Sequence, residues 1–324
     1  MKEGASERVR VEVIADTTAA GQAVELAAGL AEEPPRIPSK YFYDDRGSRL
    51  FEAITTLPEY YLTRAEREIL AARATEIAAI AGAVELVELG SGSAAKTRFL
   101  LDAMSGDGLR RYMPVDVSEA EIRRVAGELA AEYPALAIHG VVGDFLRLPR
   151  LPGRGPRLVA FLGSTIGNFR RDQAAAFLAA LASRMAPGDH LLLGFDRVKE
   201  PARLEAAYND AAGVTAEFNR NILRVVNARY AGDFDPQAFD HRAFYDAQAD
   251  RIEMRLVARQ PQVVRLDTLG LTLRFQPGDE ILTEISSKYR EEDVTALLEA
   301  AGLLPVRWFT DRRRDFGLVL ARRP

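Results

Sequence analysis

Val87-Glu88-Leu89-Gly90-Ser91-Gly92-Ser93 decides how the rest of the chain is read. The run from Val84 to Leu89 suits a buried strand. It ends on two glycines one residue apart, and a helical pattern follows through Phe99-Leu100-Leu101. Gly90-Ser91-Gly92-Ser93-Ala94-Ala95 also satisfies the relaxed dinucleotide fingerprint, with glycines at the first and third positions and alanine at the sixth. Taken alone, the turn fits a nicotinamide enzyme, another nucleotide cofactor, or a tight turn with no ligand.

Outward from this turn the chain alternates strands and helices. Thr63-Arg64-Ala65-Glu66 reads as a capping box that opens an alanine-rich helix to about Ala81. Downstream come the strand Tyr112-Met113-Pro114-Val115 ending in Asp116, a helix opened by Ser118 and Glu121, and the strand Ala137–Val142 ending in Gly143-Asp144-Phe145. The strand Leu158–Leu162 runs into Gly163-Ser164-Thr165-Ile166-Gly167-Asn168, followed by a helix Asp172–Met185 and the strand His190–Phe195. Such alternation predicts a parallel sheet with helices on both faces, and ligands on such sheets bind at the carboxyl ends of the strands.

After Asp196 the character changes. A long amphipathic helix is expected from Pro201 to about Asn227, then antiparallel strands at Arg251–Ala258 and Val263–Phe275 with a turn at Pro277-Gly278-Asp279. Glu291–Ala301 reads as a helix stopped by Gly302, and Leu304–Thr310 with Phe316–Ala321 as a closing hairpin. The doubly wound α/β core is therefore interrupted by an inserted subdomain.

The 324 residues, 48% hydrophobic and 28% charged with net charge -4, have a globular balance without a basic run, which argues against nucleic acid or an anionic membrane as partner. With no cysteine there is no disulfide, thiolate metal site or cysteine nucleophile. The three histidines, His139, His190 and His241, lack metal-ligand spacing, so no metal is expected. Charges throughout Met1–Ala15 rule against a secretory signal, and no apolar stretch approaches the ~18 residues of a membrane span. A cytoplasmic monomer is expected.

The strand ends narrow the cofactor. Asp116 suits the paired ribose hydroxyls of an adenosine, Asp144 suits the adenine amino group, and Phe145 suits packing on that ring. Lys96, one of few lysines in an arginine-rich chain, is read as lying one turn into the helix, where it suits the carboxylate of a methionine moiety. A dinucleotide pyrophosphate would instead use the helix N-terminus. Together with the closing hairpin, Gly90, Ser91, Gly92, Lys96, Asp116, Asp144 and Phe145 point to S-adenosylmethionine, with S-adenosylhomocysteine as its product.

Longer motifs carry a resemblance over almost the whole chain from Ile37. They are Pro38-Ser39-Lys40-Tyr41-Phe42-Tyr43-Asp44-Asp45-Arg46-Gly47-Ser48, Leu57-Pro58-Glu59-Tyr60-Tyr61, Phe161-Leu162-Gly163-Ser164-Thr165-Ile166-Gly167-Asn168-Phe169, the stretch from Ala207 to Thr215, Phe218-Asn219-Arg220-Asn221, and Leu282-Thr283-Glu284-Ile285-Ser286-Ser287-Lys288-Tyr289. The chain resembles the histidine Nα-methyltransferases of ergothioneine biosynthesis and their amino-acid-betaine-forming relatives. The resemblance implies a class I methyltransferase (Rossmann-like) domain, 62–197 plus 289–324, and an α+β substrate-binding domain, 1–61 plus 198–288. It further implies stepwise methylation of the α-amine of L-histidine, through to trimethylhistidine (hercynine).

Position by position, the resemblance sets Asn168 and Tyr208 at the substrate α-carboxylate, Tyr43 near the reacting amine and Tyr60 near the imidazole. It sets Glu284 and Ser286 as the pair that reads the imidazole, Met254 in the lining of that pocket and Thr165 beside the cofactor. Ser287 and Tyr289 depart from the family's pattern. From the residues alone, strand alternation puts Glu284 on one face with Leu282 and Ser286, and a buried acid there needs a partner. The aromatic faces of Tyr43 and Phe42 suit a methylated ammonium by cation–π attraction. Three other readings stay open: the same chemistry on another amino acid such as tryptophan, a nicotinamide dehydrogenase, and a non-catalytic binder of S-adenosylmethionine.

Overall fold

The computed structural model describes residues 8–14, 19–106, 108–148 and 150–324. The N-terminal residues weighed for a secretory signal lie mostly outside them. The chain divides into two compact units: residues 8–14, 62–197 and 289–324 form one, and residues 19–61 and 198–288 form the other.

In chain order the first unit begins with β1 (Val9–Val13). The second unit then supplies α1 (Ala19–Leu30) and α2 (Asp45–Thr56) before the chain returns to the first as α3 (Leu62–Ala81), β2 (Glu85–Leu89), α4 (Arg98–Ser105), β3 (Arg111–Asp116), α5 (Glu119–Glu132), β4 (Ala137–Val142), β5 (Arg157–Phe161), α6 (Arg171–Arg184) and β6 (His190–Asp196). The insertion contributes α7 (Pro201–Ala206), α8 (Val214–Tyr230), β7 (Phe239–Asp246), β8 (Arg251–Ala258), β9 (Gln262–Leu266), β10 (Leu271–Phe275) and β11 (Glu280–Ser287), after which α9 (Glu291–Ala300), β12 (Leu304–Thr310) and β13 (Phe316–Arg322) complete the first unit.

The first unit is built on an eight-stranded sheet of order β1-β4-β3-β2-β5-β6-β13-β12. The strands from β1 to β6 pair in parallel, while β13 runs antiparallel to β6 and β12 antiparallel to β13. This is the expected doubly wound, mostly parallel α/β sheet of the Rossmann-like class. Every residue of β2, β5 and β6 is buried, as central strands covered on both faces must be. The strand order reverses at β2, which is flanked by β3 and β5, so the topological switch point lies at the carboxyl end of β2, where Gly90-Ser91-Gly92 stands.

The second unit holds a three-stranded antiparallel sheet, β11-β8-β7, and a separate β10-β9 hairpin. Residues 19–61 join it through backbone bonds such as Ile37 N to Leu282 O at 3.0 Å. Asp44 caps α2 by accepting from Gly47 N at 2.7 Å. Among the described residues no helix is long and apolar enough to cross a membrane.

Several local expectations are corrected. The proposed capping box does not form: α3 starts at Leu62, which puts Thr63 inside the helix, and Glu66 has no exposed surface. The single helix expected from Pro201 is two, broken at 207–213, where Gly213 adopts a left-handed φ of 72°. The strand expected at Val263–Phe275 is the β9–β10 hairpin, turned at Gly270 with φ of 63°. Residues 9–13 form an edge strand of the large sheet, whereas the sequence reading grouped 1–61 with the substrate domain. Strand β7 carried no recognised signal.

Candidate active site

In the first unit, the loop after β2 owes its path to two glycines that tolerate left-handed backbone. Gly90 and Gly92 have φ of 72° and 48°, and Ala94 is held at 53° against the preference of its Cβ. Gly90 N donates to Val115 O at 2.8 Å, and Gly92 N donates to Asp116 Oδ2 at 3.0 Å. The other oxygen, Asp116 Oδ1, accepts from Ser118 N at 3.0 Å. Asp116 thus staples the end of β2 to the end of β3. Burial raises its pKa against those backbone bonds, which lower it. With backbone N–H groups of Gly92, Val117 and Ser118 all bonded to it, the carboxylate still keeps acceptor capacity for a ligand hydroxyl.

The hydroxyl of Ser91 is buried and has no hydrogen-bond partner among the described residues. A buried polar atom left without a partner costs stability, and a ligand group at this loop would satisfy it. At the end of β4, Asp144 accepts from Leu146 N at 3.0 Å and so fixes the turn that presents Phe145. Phe145 packs edge-on against Phe161 and Phe177, with ring centroids 5.4 and 5.9 Å away. A Cβ on Gly90 would lie 3.8 Å from the Phe145 ring, so this ring borders the loop itself.

Lys96 is placed differently from the expectation. It precedes α4 and does not lie a turn inside it, and its ammonium pairs with Glu66. The Lys96 side chain is 23% exposed, which leaves its ammonium, with three donors, able to serve a second acceptor. Glu66 also accepts from Gly163 N at 2.8 Å. Gly194 on β6 makes room for it: a Cβ there would stand 2.5 Å from Glu66 Oε1. One buried carboxylate therefore ties together the segments after β2 and after β5. Behind it Glu88 accepts from Thr97 Oγ1 at 2.6 Å and Tyr112 OH at 2.5 Å, and burial pushes its carboxyl up to about 7.

The loop after β5 is also left-handed at Gly163 and Ser164, with φ of 73° and 58°. Ser164 Oγ accepts from Asp196 N at 2.9 Å and so ties this loop to the end of β6. Thr165 donates its hydroxyl to Leu162 O at 2.7 Å, so it serves the turn's own backbone. Asn168 ends the turn, half-buried.

In the second unit the expected residues gather around β11 and an aromatic chain. Tyr43 is 36% exposed and stands edge-on to Phe51 and Phe218 at 5.8 and 6.0 Å. Tyr60 is edge-on to Phe51 and to Tyr208, at 6.2 and 6.3 Å. Phe42, weighed as a face for a methylated ammonium, is instead buried and stacked on Phe218 at 4.4 Å.

Glu284 and Met254 are register partners in the β11–β8 pair, and Ser286 opposes Ile252. A bulge between Leu282 and Glu284 inserts Thr283 and corrects the simple alternation: Leu282 pairs with Arg255, off the face shared by Glu284 and Ser286. Part of Glu284 stays accessible, yet burial of its carboxyl pushes the pKa up to about 7, against the lowering influence of Lys288. Tyr208 OH donates to Ser286 Oγ at 2.8 Å, so its hydroxyl is engaged with the imidazole-reading pair expected from the sequence.

Sequence reasoning missed Lys288, which is fully buried and donates to Ser286 Oγ at 2.8 Å and to Tyr208 OH at 3.0 Å. Its scarcity value as a lysine was visible; its burial was not, because a lysine at a strand end ordinarily reads as solvated. His241 was also missed. It joins Asn219 through Nδ1 at 2.9 Å and Tyr208 O through Nε2 at 2.8 Å. Among the described residues no group of three or more histidine, aspartate or glutamate side chains is placed to hold a metal ion.

Comparison with known proteins adds the chemistry this arrangement is similar to. The sequence pattern of the family described as "Histidine-specific methyltransferase, SAM-dependent" matches residues 22–323. The Histidine N-alpha-methyltransferase of Mycolicibacterium smegmatis is 51% identical over 309 residues, covering 95% of this chain and 96% of that protein. That of Mycobacterium tuberculosis is 51% identical over 299 residues, covering 92% and 93%. Ergothioneine biosynthesis protein 1 of Neurospora crassa is 34% identical over 309 residues, covering 89% of this chain and 33% of that longer protein.

Proposed function

The chain belongs to the histidine-specific, SAM-dependent methyltransferase family, and from that premise we propose that it transfers methyl groups from S-adenosylmethionine to the α-amine of L-histidine, through to trimethylhistidine. The observation that carries the acceptor is the face shared by Glu284 and Ser286, two polar groups on one side of a largely buried strand with Met254 opposite Glu284. An imidazole ring offers one N–H and one bare nitrogen, which suits such a pair. A substrate without them leaves buried polar groups unpaired, and such sites reject analogues strongly.

The residues around the first loop fit S-adenosylmethionine: the Ser91 hydroxyl lacks a partner among the described residues and Asp116 retains acceptor capacity. When bound, this cosubstrate supplies a methyl group made electrophilic by a sulfonium. Gly90 and Gly92 let backbone approach it, Asp116 is assigned to the ribose hydroxyls, Asp144 and Phe145 to the adenine, and Lys96 to the methionine carboxylate, with Thr165 at the border of the site. The protein's main contribution is alignment, which can supply most of the acceleration.

Asn168 is assigned to the α-carboxylate of the acceptor. Tyr208, also expected there, is assigned through its bond to Ser286 to the imidazole side as well. Tyr60 and Met254 line the ring. The amine must be neutral to react, and the partly exposed Tyr43 hydroxyl is assigned to take a hydrogen bond from it and to pass its proton toward solvent. The test is incubation with S-adenosylmethionine and pooled amino acids, read by mass spectrometry. Histidine gaining mass in steps of one methyl is the expected result; methylation of another amino acid, or none, overturns it.

A further inference from the structure

Lys288 has no exposed surface, yet its ammonium lies within 2.8 Å of Ser286 Oγ and 3.0 Å of Tyr208 OH, with its charge 4.8 Å from the centre of the Tyr208 ring. An ammonium can only donate. Ser286 Oγ therefore accepts from Lys288, and it accepts a second time from Tyr208 OH at 2.8 Å. A hydroxyl oxygen has two lone pairs and one proton. With both lone pairs engaged, Ser286 has only its proton left to offer, so any ring atom that meets it must be an acceptor.

A second constraint comes from charge. A buried cation next to Ser286 repels another cation brought to the same face, and the repulsion is weakly screened there. Glu284, two residues before Ser286 on the same face, is left to meet the ring's N–H. Resting on the histidine reading above, we infer that Lys288 is a positioning residue that makes Ser286 an obligate donor and thereby selects the neutral, singly protonated imidazole of the substrate over the imidazolium. The preference is built into the orientation of one hydroxyl proton, set by a lysine that need not touch the substrate.

The experiment is nitrogen NMR of histidine labelled at both ring nitrogens, bound to the full chain with S-adenosylhomocysteine at neutral pH. The expected spectrum of wild type has one pyrrole-type and one pyridine-type nitrogen. In Lys288→Met it shifts toward two protonated nitrogens, and histidine affinity falls about tenfold or more while S-adenosylhomocysteine affinity stays within about twofold. Two protonated nitrogens in wild type overturn the inference even if Lys288→Met does not fold. A folded Lys288→Met that keeps the wild-type spectrum overturns it as well. Turnover of histidine to methylated products is measured alongside: turnover with an imidazolium bound removes this inference alone, whereas no binding and no turnover removes the histidine reading with it.

Discussion

Lys96 holds its ammonium against the carboxylate of Glu66, a residue thirty positions earlier that has no exposed surface. The same carboxylate accepts from Gly163 N. Two loops at the carboxyl ends of neighbouring parallel strands therefore share one buried anion.

Removing that anion leaves a lysine without its counter-charge and a backbone N–H without its acceptor. Glu66→Ala is expected to destabilise the protein by about 3 kcal/mol, the lower end for a broken buried pair because Lys96 is partly exposed. Glu66→Gln keeps an acceptor for Gly163 and is expected to lose about half as much. Urea denaturation of the three proteins measures this, and equal stability for all three contradicts it.

Glu88 gives a pH dependence with a definite sign. Burial raises its carboxyl from the usual 4.5 to about 7, so the folded chain holds a proton there that the unfolded chain has released. Stability from this group is full below about 4.5 and is lost as pH rises through about 7, then levels off. The loss amounts to about 3 kcal/mol, because each tenfold difference in proton affinity between folded and unfolded chain is worth roughly 1.4 kcal/mol. Glu88→Gln has no proton to release. The stability of wild type relative to Glu88→Gln is therefore expected to fall between pH 4.5 and pH 7 in urea melts, and a constant difference contradicts the assignment.

Glu284 separates acceptor from cosubstrate. Glu284→Ala is expected to lower kcat/KM for histidine about a hundredfold or more, since Ser286 alone cannot satisfy both ring nitrogens. Calorimetric binding of S-adenosylhomocysteine is expected to change less than about twofold. Equal losses in the two measurements would remove Glu284 from the imidazole site.

The core sheet was legible because parallel strands buried on both faces read as largely apolar runs ending at glycine or acid, as at Leu162-Gly163 and Phe195-Asp196. The hairpin β12–β13 was legible for a similar reason. What the pattern could not carry was long-range pairing. Thr63 and Glu66 have the spacing of a capping box, and only the fold reveals that Glu66 turns inward to Lys96. Bulges hide in the same way: Thr283 looks like one more alternating residue until its register slip takes Leu282 off the face of Glu284. A buried lysine and a half-buried histidine are the hardest case, since Lys288 and His241 acquire meaning only from partners distant in sequence.

His241 carries the last prediction. A backbone carbonyl only accepts, so Nε2 must bear the proton it donates to Tyr208 O, and Nδ1 must accept from Asn219 Nδ2. Asn219 cannot turn its amide to accommodate a second imidazole proton, because its Nδ2 also donates to the carbonyl of Arg255 at 3.1 Å while its Oδ1 takes the hydroxyl of Thr283 at 2.6 Å. The ring is thus held neutral, and burial lowers its pKa below 6.5. A base with a depressed folded pKa contributes stability above its unfolded value and loses it as pH falls, because the unfolded chain takes up a proton first. The stability advantage of wild type over His241→Gln is therefore expected to shrink as pH drops below 6.5, read from urea midpoints at successive pH values. The network also joins the bulge residue Thr283 to the backbone of Tyr208, so His241→Gln is expected to raise KM for histidine more than it lowers kcat. An advantage that grows on acidification would show that the ring does not stay neutral, and a KM that does not move would show that it does not position Tyr208.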